Sequence, residues 1–272
     1  MDIGVDVGGV RIGGGALALI AGPCVIEDRD TVLAAARGLS ALCRSAGIPL
    51  VFKASFDKAN RTSGRSFRGL GLDAGLAVLR AVKDELGLPI TTDVHEPGQA
   101  DAVAAVADLL QVPAFLCRQT DLLTACGATG RAVNVKKGPF VAPLDLGHAV
   151  DKVRAAGAAG VLVTERGTTF GYHDLVVDFR SLIWLRSLGV PVVFDATHSA
   201  QRPGALGDRS GGDRTLAVAL GRAACAIGVD AVFAEVHPDP SRARSDADTQ
   251  LPLDGFGAVL AGWAAIARLA GT

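Results

Sequence analysis

Eight short runs of Val, Ile and Leu, spaced along the whole chain, limit the fold more than any other feature of the sequence. They fall at 17–21, 50–54, 89–94, 108–112, 132–136, 160–164, 191–195 and 230–235. Each reads as a buried parallel strand. Alanine-rich stretches with helical spacing lie between them, near 29–46, 73–87, 97–106, 119–128, 146–157, 177–188, 213–227 and 254–270. Gly-Ile-Pro at 47–49, Gly-Leu-Pro at 87–89 and Gly-Val-Pro at 189–191 stand where a helix would stop and a strand begin. A βα unit repeated eight times builds either a closed barrel or an open doubly wound sheet, and periodicity alone does not separate them. The 272-residue length does favour closure, since a (β/α)8 barrel typically takes ~250 residues. The expectation is therefore α/β, a single-domain (β/α)8 TIM barrel over 1–272. Residues 1–15 fit neither element and are expected to form a short N-terminal hairpin. Their glycines match no nucleotide-binding spacing.

Composition excludes several classes of function. Apolar residues make up 49% and charged residues 20%, with a net charge of -1, which suits neither a disordered chain nor a nucleic-acid-coating surface. Partners are expected to be small molecules or further copies of the chain. The opening MDIGVDVGG has no basic segment leading into a long apolar run, and no stretch reaches the ~18 apolar residues of a membrane span. The expectation is no membrane and a cytoplasmic location. The five cysteines, Cys24, Cys43, Cys117, Cys126 and Cys225, form no CxxC pair, so any functional cysteine acts singly. Cys43, Cys126 and Cys225 fall on helical stretches and read as packing residues. Trp184 and Trp263 are expected at the core or at a subunit contact, and His148 and His173 are read as structural.

In a barrel the residues that finish strands converge at one mouth, so the polar residues after each apolar run are informative. The runs lead to Cys24, then Lys53 with Ser55, Asp93 with His95, Gln111 with Arg118 beyond it, Lys136 with Lys137, Glu165 with Arg166, Asp195 with His198, and Glu235 with His237. A charge buried at such a place costs several kcal/mol, of order, unless it meets an opposite charge or a ligand. Lys53, Lys58, Arg61, Arg118, Lys136 and Arg166 outnumber nearby Asp93 and Glu165, so a phosphorylated ligand is the natural complement. The strand-end cations and those of the 58–68 loop form two groups, which suits two phosphorylated substrates. The same loop arginines also fit a solvated face.

A second set is soft and acidic. Cys24, His198, Glu235 and the loop residue Asp246 follow runs one, seven and eight, which become neighbours when a barrel closes. Thiolate, imidazole and carboxylate together suit a divalent metal ion such as Zn, Fe or Mn, with a position left for a substrate oxygen. Without closure Cys24 would read as a small buried hydrophobe and Asp246 as surface.

Longer strings carry a resemblance. AGPCVIED at 21–28, FKASFDKANRTS at 52–63, TDVHEP at 92–97, LLQVPAFLCRQTDLL at 109–123 and NVKKGPF at 134–140 closely resemble the 3-deoxy-D-manno-octulosonate 8-phosphate synthases. So do TERGTTFGYHDLVVDFRSL at 164–182, FDATHS at 194–199 and EVHPDP at 235–240. KANRTS discriminates best, because the related 3-deoxy-D-arabino-heptulosonate 7-phosphate synthases usually carry a KPRTS-like string there.

The resemblance implies a homotetramer that condenses phosphoenolpyruvate with arabinose 5-phosphate and releases phosphate, in lipopolysaccharide sugar biosynthesis. It implies that Lys53, Ser55, Lys58, Gln111, Lys136 and Arg166 hold phosphoenolpyruvate, with Asp93 lining the pocket. Asn60, Arg61 and Thr62 would bind the sugar phosphate, Arg61 across a subunit boundary. Cys24, where metal-independent members carry asparagine, implies the metal-dependent class, with His198, Glu235 and Asp246 as the other ligands. The catalytic set on this reading is Lys53, Lys58, Asp93, Lys136, His198 and Asp246. The stretch 204–213 is expected to be a mobile loop over the site. Two alternatives stand beside it: a heptulosonate phosphate synthase using erythrose 4-phosphate, and a catalytically silent phosphosugar-binding barrel. The second should have lost a ligand or a lysine of these sets, and none is missing.

Overall fold

The computed structural model describes residues 3–59, 63–207 and 210–271. Eight parallel strands lie side by side in chain order: β1 (Ala18–Gly22), β2 (Leu50–Lys53), β3 (Ile90–Asp93), β4 (Leu109–Val112), β5 (Ala132–Lys136), β6 (Gly160–Glu165), β7 (Val192–Asp195) and β8 (Ala231–His237). β8 pairs with β7 on one side and β1 on the other, so the sheet closes and the expected barrel is present. The helices are α1 (Arg29–Ala46), α2 (Leu72–Leu86), α3 (Ala100–Ala104), α4 (Thr120–Ala128), α5 (Gly147–Ala155), α6 (Arg180–Arg186), α7 (Arg214–Ile227) and α8 (Phe256–Leu269).

The local chemistry accounts for where these elements start and stop. The Asp28 carboxylate accepts the Thr31 N–H and opens α1, and Gly47, in the left-handed conformation, ends it. Between them Val32, Ala36, Leu39 and Cys43 recur on one face and are buried against the barrel. Asp213 opens α7 in the same way, accepting from Thr215 and Leu216.

The core has two parts. The larger fills the space between strands and helices and takes in Cys43, Cys126, Cys225 and the fully buried Trp263. Trp184, by contrast, is 39% exposed on α6. The smaller part fills the barrel with Ile20, Val51, Leu109, Leu162, Val193 and Phe233. Residues Val5–Val7 and Val10–Ile12 form the expected antiparallel hairpin, whose Val5, Val7 and Ile12 join this inner core. The hairpin lies at the N-terminal end of the strands: Gly160, the first residue of β6, faces Val5 so closely that a Cβ there would be 2.5 Å from it.

Four local features depart from the periodicity or add to it. α3 is a single short turn, because a capping box of Glu96 and Gln99 first winds Pro97–Gln99 into a 3-10 turn. α6 starts at Arg180, three residues later than the spacing predicts, since Thr168–Thr169 and Leu175–Val176 pair as a hairpin. β8 runs on to His237, where Val236 and His237 pair in parallel with Leu251 and Pro252. That pairing brings the 238–250 loop back to the mouth of the barrel. Within 204–213, Gly211–Gly212 pairs with Gln201–Arg202, while Asp208 and Arg209 lie outside the described residues. Among the described residues no helix is long and apolar enough to cross a membrane.

Candidate active site

A cavity of about 350 Å³ opens at the C-terminal ends of the strands, as barrel geometry requires. Lys53, Lys58, Asp93, Gln111, Lys136, Arg166, His198 and Asp246, all expected at the site, line it. Ser55, Cys24 and Glu235 lie fully buried against it. Asn60, Arg61 and Thr62, expected at the sugar phosphate, lie outside the described residues. Arg118 does not join them: the Ala114–Leu116 turn carries the chain outward and leaves it exposed and off the cavity wall.

The buried cations are better matched than the sequence predicts. Lys53 Nζ is 3.1 Å from Glu235 Oε1 and donates to the Cys24 carbonyl at 2.9 Å. Lys136 Nζ meets Asp195 Oδ2 at 2.6 Å and sits 3.6 Å over the ring centre of Phe233. Glu165, expected to balance these cations, instead accepts the Gly167 N–H and lies 3.6 Å from the wholly buried Lys137. Lys58 lies 3.8 Å from Glu235 and 4.0 Å from Asp93, and these acidic neighbours raise its pKa against burial. One buried cation is left without a close carboxylate. Arg166, buried, donates to the neutral amide of Gln201 at 3.0 Å, and among the described residues no carboxylate lies within 4 Å of it. An anion is what Arg166 lacks.

Asp93 ends a chain of hydrogen bonds across four strands, β6 to β3. Thr164 Oγ1 donates to Asn134 Oδ1 (2.8 Å), Asn134 Nδ2 to Gln111 Oε1 (3.1 Å) and Gln111 Nε2 to Asp93 Oδ1 (2.6 Å). Ser55 Oγ donates to Asp93 Oδ2 from the other side at 2.5 Å. Burial alone would raise the Asp93 pKa, but Lys53 and Lys58 overcome it and hold the carboxyl well below its usual range. The Asp195 carboxyl is likewise lowered against burial, by His198 and Lys136. Glu235 falls to about 2 against burial, through His198, Lys53 and Lys58.

Cys24, Glu235 and Asp246 form the second half of the site. One donor atom from each lies within 4.8 Å of the others. Gly22 permits this approach of β1 to β2: a Cβ there would stand 2.0 Å from the Lys53 carbonyl oxygen. The Cys24 thiol is 2.8 Å from Ser245 Oγ and 3.1 Å from Asp246 Oδ2. Burial, Asp246 and Glu235 together push its pKa well above the usual thiol value, a trend that a bound cation reverses. Glu235 Oε2 is buried with no hydrogen-bond partner among the described residues. Soft sulfur, two carboxylates and an orphaned oxygen fit a divalent cation. His198 is adjacent but outside the group of three: its Nε2 lies 3.5 Å from Glu235 Oε1, and its Nδ1 lies 2.8 Å from Asp195 Oδ2 without the alignment of a hydrogen bond.

Sequence reasoning gave no role to Asp195, Gln201, Ser245 or Gln250. Asp195 carries the same signal as the other strand-end residues, since it closes an apolar run. The others lie beyond strand ends in segments without periodicity.

A family model described as the DAHP synthetase I family matches residues 2–266. A Synechococcus protein named 2-dehydro-3-deoxyphosphooctonate aldolase is 57% identical over 244 residues, 90% of this chain and 86% of that protein. Proteins of the same name from Syntrophotalea carbinolica and Nitratidesulfovibrio vulgaris are 55% and 56% identical, covering 92% and 89% of this chain and 91% and 89% of their own lengths. With residues 2–266 matched by the family model and relatives above 50% identity across about nine-tenths of its length, the chain belongs to the DAHP synthetase I family.

Proposed function

We propose that the chain is an enzyme that condenses phosphoenolpyruvate with D-arabinose 5-phosphate and water, giving 3-deoxy-D-manno-octulosonate 8-phosphate and inorganic phosphate, a step of lipopolysaccharide sugar biosynthesis. One observation carries the reading. Buried Lys53, Lys58, Lys136 and Arg166 meet the Cys24, Glu235 and Asp246 group at a single cavity. The name shared by relatives at 55–57% identity supports the same reaction.

Lys136 and Arg166, with Lys53 and Lys58, hold the carboxylate and phosphate of phosphoenolpyruvate, and Ser55 and Gln111 orient it from the rim fixed by Asp93. Asn60, Arg61 and Thr62 hold the sugar phosphate, Arg61 from a neighbouring subunit of a homotetramer. Clamping both anions brings C3 of phosphoenolpyruvate against the aldehyde carbon before any electronic effect operates. As that bond forms, positive charge grows at C2 and negative charge at the aldehyde oxygen. The cationic lining stabilises the second. Water adds at C2 and loses a proton, for which Asp246 is the proposed acceptor; the aldehyde oxygen takes up a proton to become a hydroxyl, and the C2 hydroxyl of the hemiketal phosphate loses its proton as the C–O bond to phosphate breaks, giving ketone and inorganic phosphate. Cys24, His198, Glu235 and Asp246 would hold a divalent metal ion such as Zn, Fe or Mn, which supplies Lewis-acid charge for orienting substrate oxygens. The proposed location is the cytoplasm.

The test is phosphate release from phosphoenolpyruvate with either arabinose 5-phosphate or erythrose 4-phosphate, with and without chelator. Release with the five-carbon sugar, lost on chelation and restored by added metal, is expected. Preference for the four-carbon sugar, or full activity after exhaustive chelation, would overturn the substrate or the metal assignment respectively.

A further inference from the structure

Cys24 lies more than 200 residues from Glu235 and Asp246 in the chain, and one residue outside the expected set touches or borders all three segments. Gln250 is fully buried. Its Oε1 accepts the Cys24 N–H at 3.1 Å, and its Nε2 donates to the Ser245 carbonyl at 2.8 Å. Its own backbone N–H donates to the Asp246 carbonyl at 3.0 Å. The next residue, Leu251, pairs with Val236, the neighbour of Glu235.

Asp246 needs such a grip. Its φ of +48° is left-handed, a conformation that non-glycine residues keep only where their surroundings impose it. Gln250 holds the peptide on both sides of Asp246, through the Ser245 carbonyl before it and the Asp246 carbonyl after it. The same planar amide then spans to Cys24. Because both ends of that amide are satisfied and it is shielded from water, its length fixes the spacing between the thiol segment and the carboxylate segment.

We propose that Gln250 is a positioning residue that sets the distance between Cys24 and Asp246 and thereby the metal affinity of the centre. This rests on the reading of Cys24, Glu235 and Asp246 as metal ligands. Partners that orient ligands typically change affinity by about 10–100-fold when removed. Gln250→Met keeps the volume and loses both amide bonds. Gln250→Glu keeps an acceptor for Cys24 and loses the donor to Ser245.

The experiment titrates the chelated, full-length protein with Co²⁺ and follows the thiolate-to-cobalt charge-transfer band. Leu260→Ala, a buried truncation on α8, serves as a destabilised control. The expected result is Co²⁺ affinity at least about tenfold weaker in Gln250→Met, intermediate in Gln250→Glu and unchanged in Leu260→Ala. Should Gln250→Met not fold, Gln250→Glu carries the measurement. Wild-type affinity in the folded Gln250 variants, or an equal loss in Leu260→Ala, overturns the positioning role. Absence of the band in the wild-type protein is a different failure and removes the metal reading itself.

Discussion

Replacing Asp195 with Asn isolates one oxygen of a carboxylate that has two duties. Oδ1 accepts the His198 N–H at 2.9 Å and the Thr197 hydroxyl at 3.3 Å, bonds that an amide oxygen preserves. Oδ2 faces the Lys136 ammonium at 2.6 Å and His198 Nδ1 at 2.8 Å, where the new NH2 group would point a donor at a cation. Breaking a buried ion pair from one side costs about 3–5 kcal/mol. The lower figure applies, because Lys136 keeps its place over the Phe233 ring. At about 2–4 °C per kcal/mol for a chain of this size, a loss of about 3 kcal/mol lowers Tm by about 6–12 °C.

The substitution also changes the pH profile. Burial already lowers the Lys136 pKa, and Asp195 is the main group opposing that shift. Without it the pKa falls further, because burial is then opposed by less negative charge. A lysine is charged below its pKa, so the loss of phosphoenolpyruvate binding appears on the alkaline side and activity recovers as pH falls. The assay is kcat/KM for phosphoenolpyruvate across pH, beside thermal unfolding of both proteins. A Tm within about 2 °C of wild type, together with an unmoved alkaline limb, would refute the assignment of Asp195 as the partner that keeps Lys136 charged.

Two further outcomes follow from the same geometry. Lys137 Nζ lies within hydrogen-bonding reach of the carbonyls of Gly138, Val141 and Gly167 and of Thr168 Oγ1. Lys137→Met should remove the ammonium from these acceptors and leave Glu165 without its ion-pair partner, lower Tm and raise KM for phosphoenolpyruvate through the adjacent Arg166, whereas an unchanged KM would make the lysine purely structural. Gly22→Ala forces a methyl against the Lys53 carbonyl and should part β1 from β2 at a cost of at least about 1–3 kcal/mol. Its metal content after purification should fall with its stability, and a variant as stable and as metal-loaded as wild type would contradict the close approach.

The barrel was legible because its strands are buried on both faces and so are written as short, mainly apolar runs; the eight runs lie within two residues of the strands. The floor of the site was legible for the same reason, since a Lys53 or an Asp93 at the end of such a run has few places to go. What failed depended on loops. Arg118 follows its strand closely in sequence, but a 3-10 turn takes it to the surface. Glu165 faces Lys137 and a backbone amide rather than the cavity cations, a choice made by side-chain direction and not by spacing. Gln250 sits beyond a strand end in a loop with no period, and only the pairing of Leu251 with Val236 gives it meaning.

The hydrogen-bonded row from Thr164 to Asp93 has a direction. Each hydroxyl or amide gives its proton toward the same carboxylate, and Ser55 gives toward it from the opposite side. Reversing either amide would set acceptor oxygen against acceptor oxygen, so Asn134 and Gln111 are locked in orientation as long as Asp93 stays ionised. A proton arriving on Asp93 would strain the whole row at once, which makes five separate strand ends respond as one body to the charge state of a single group.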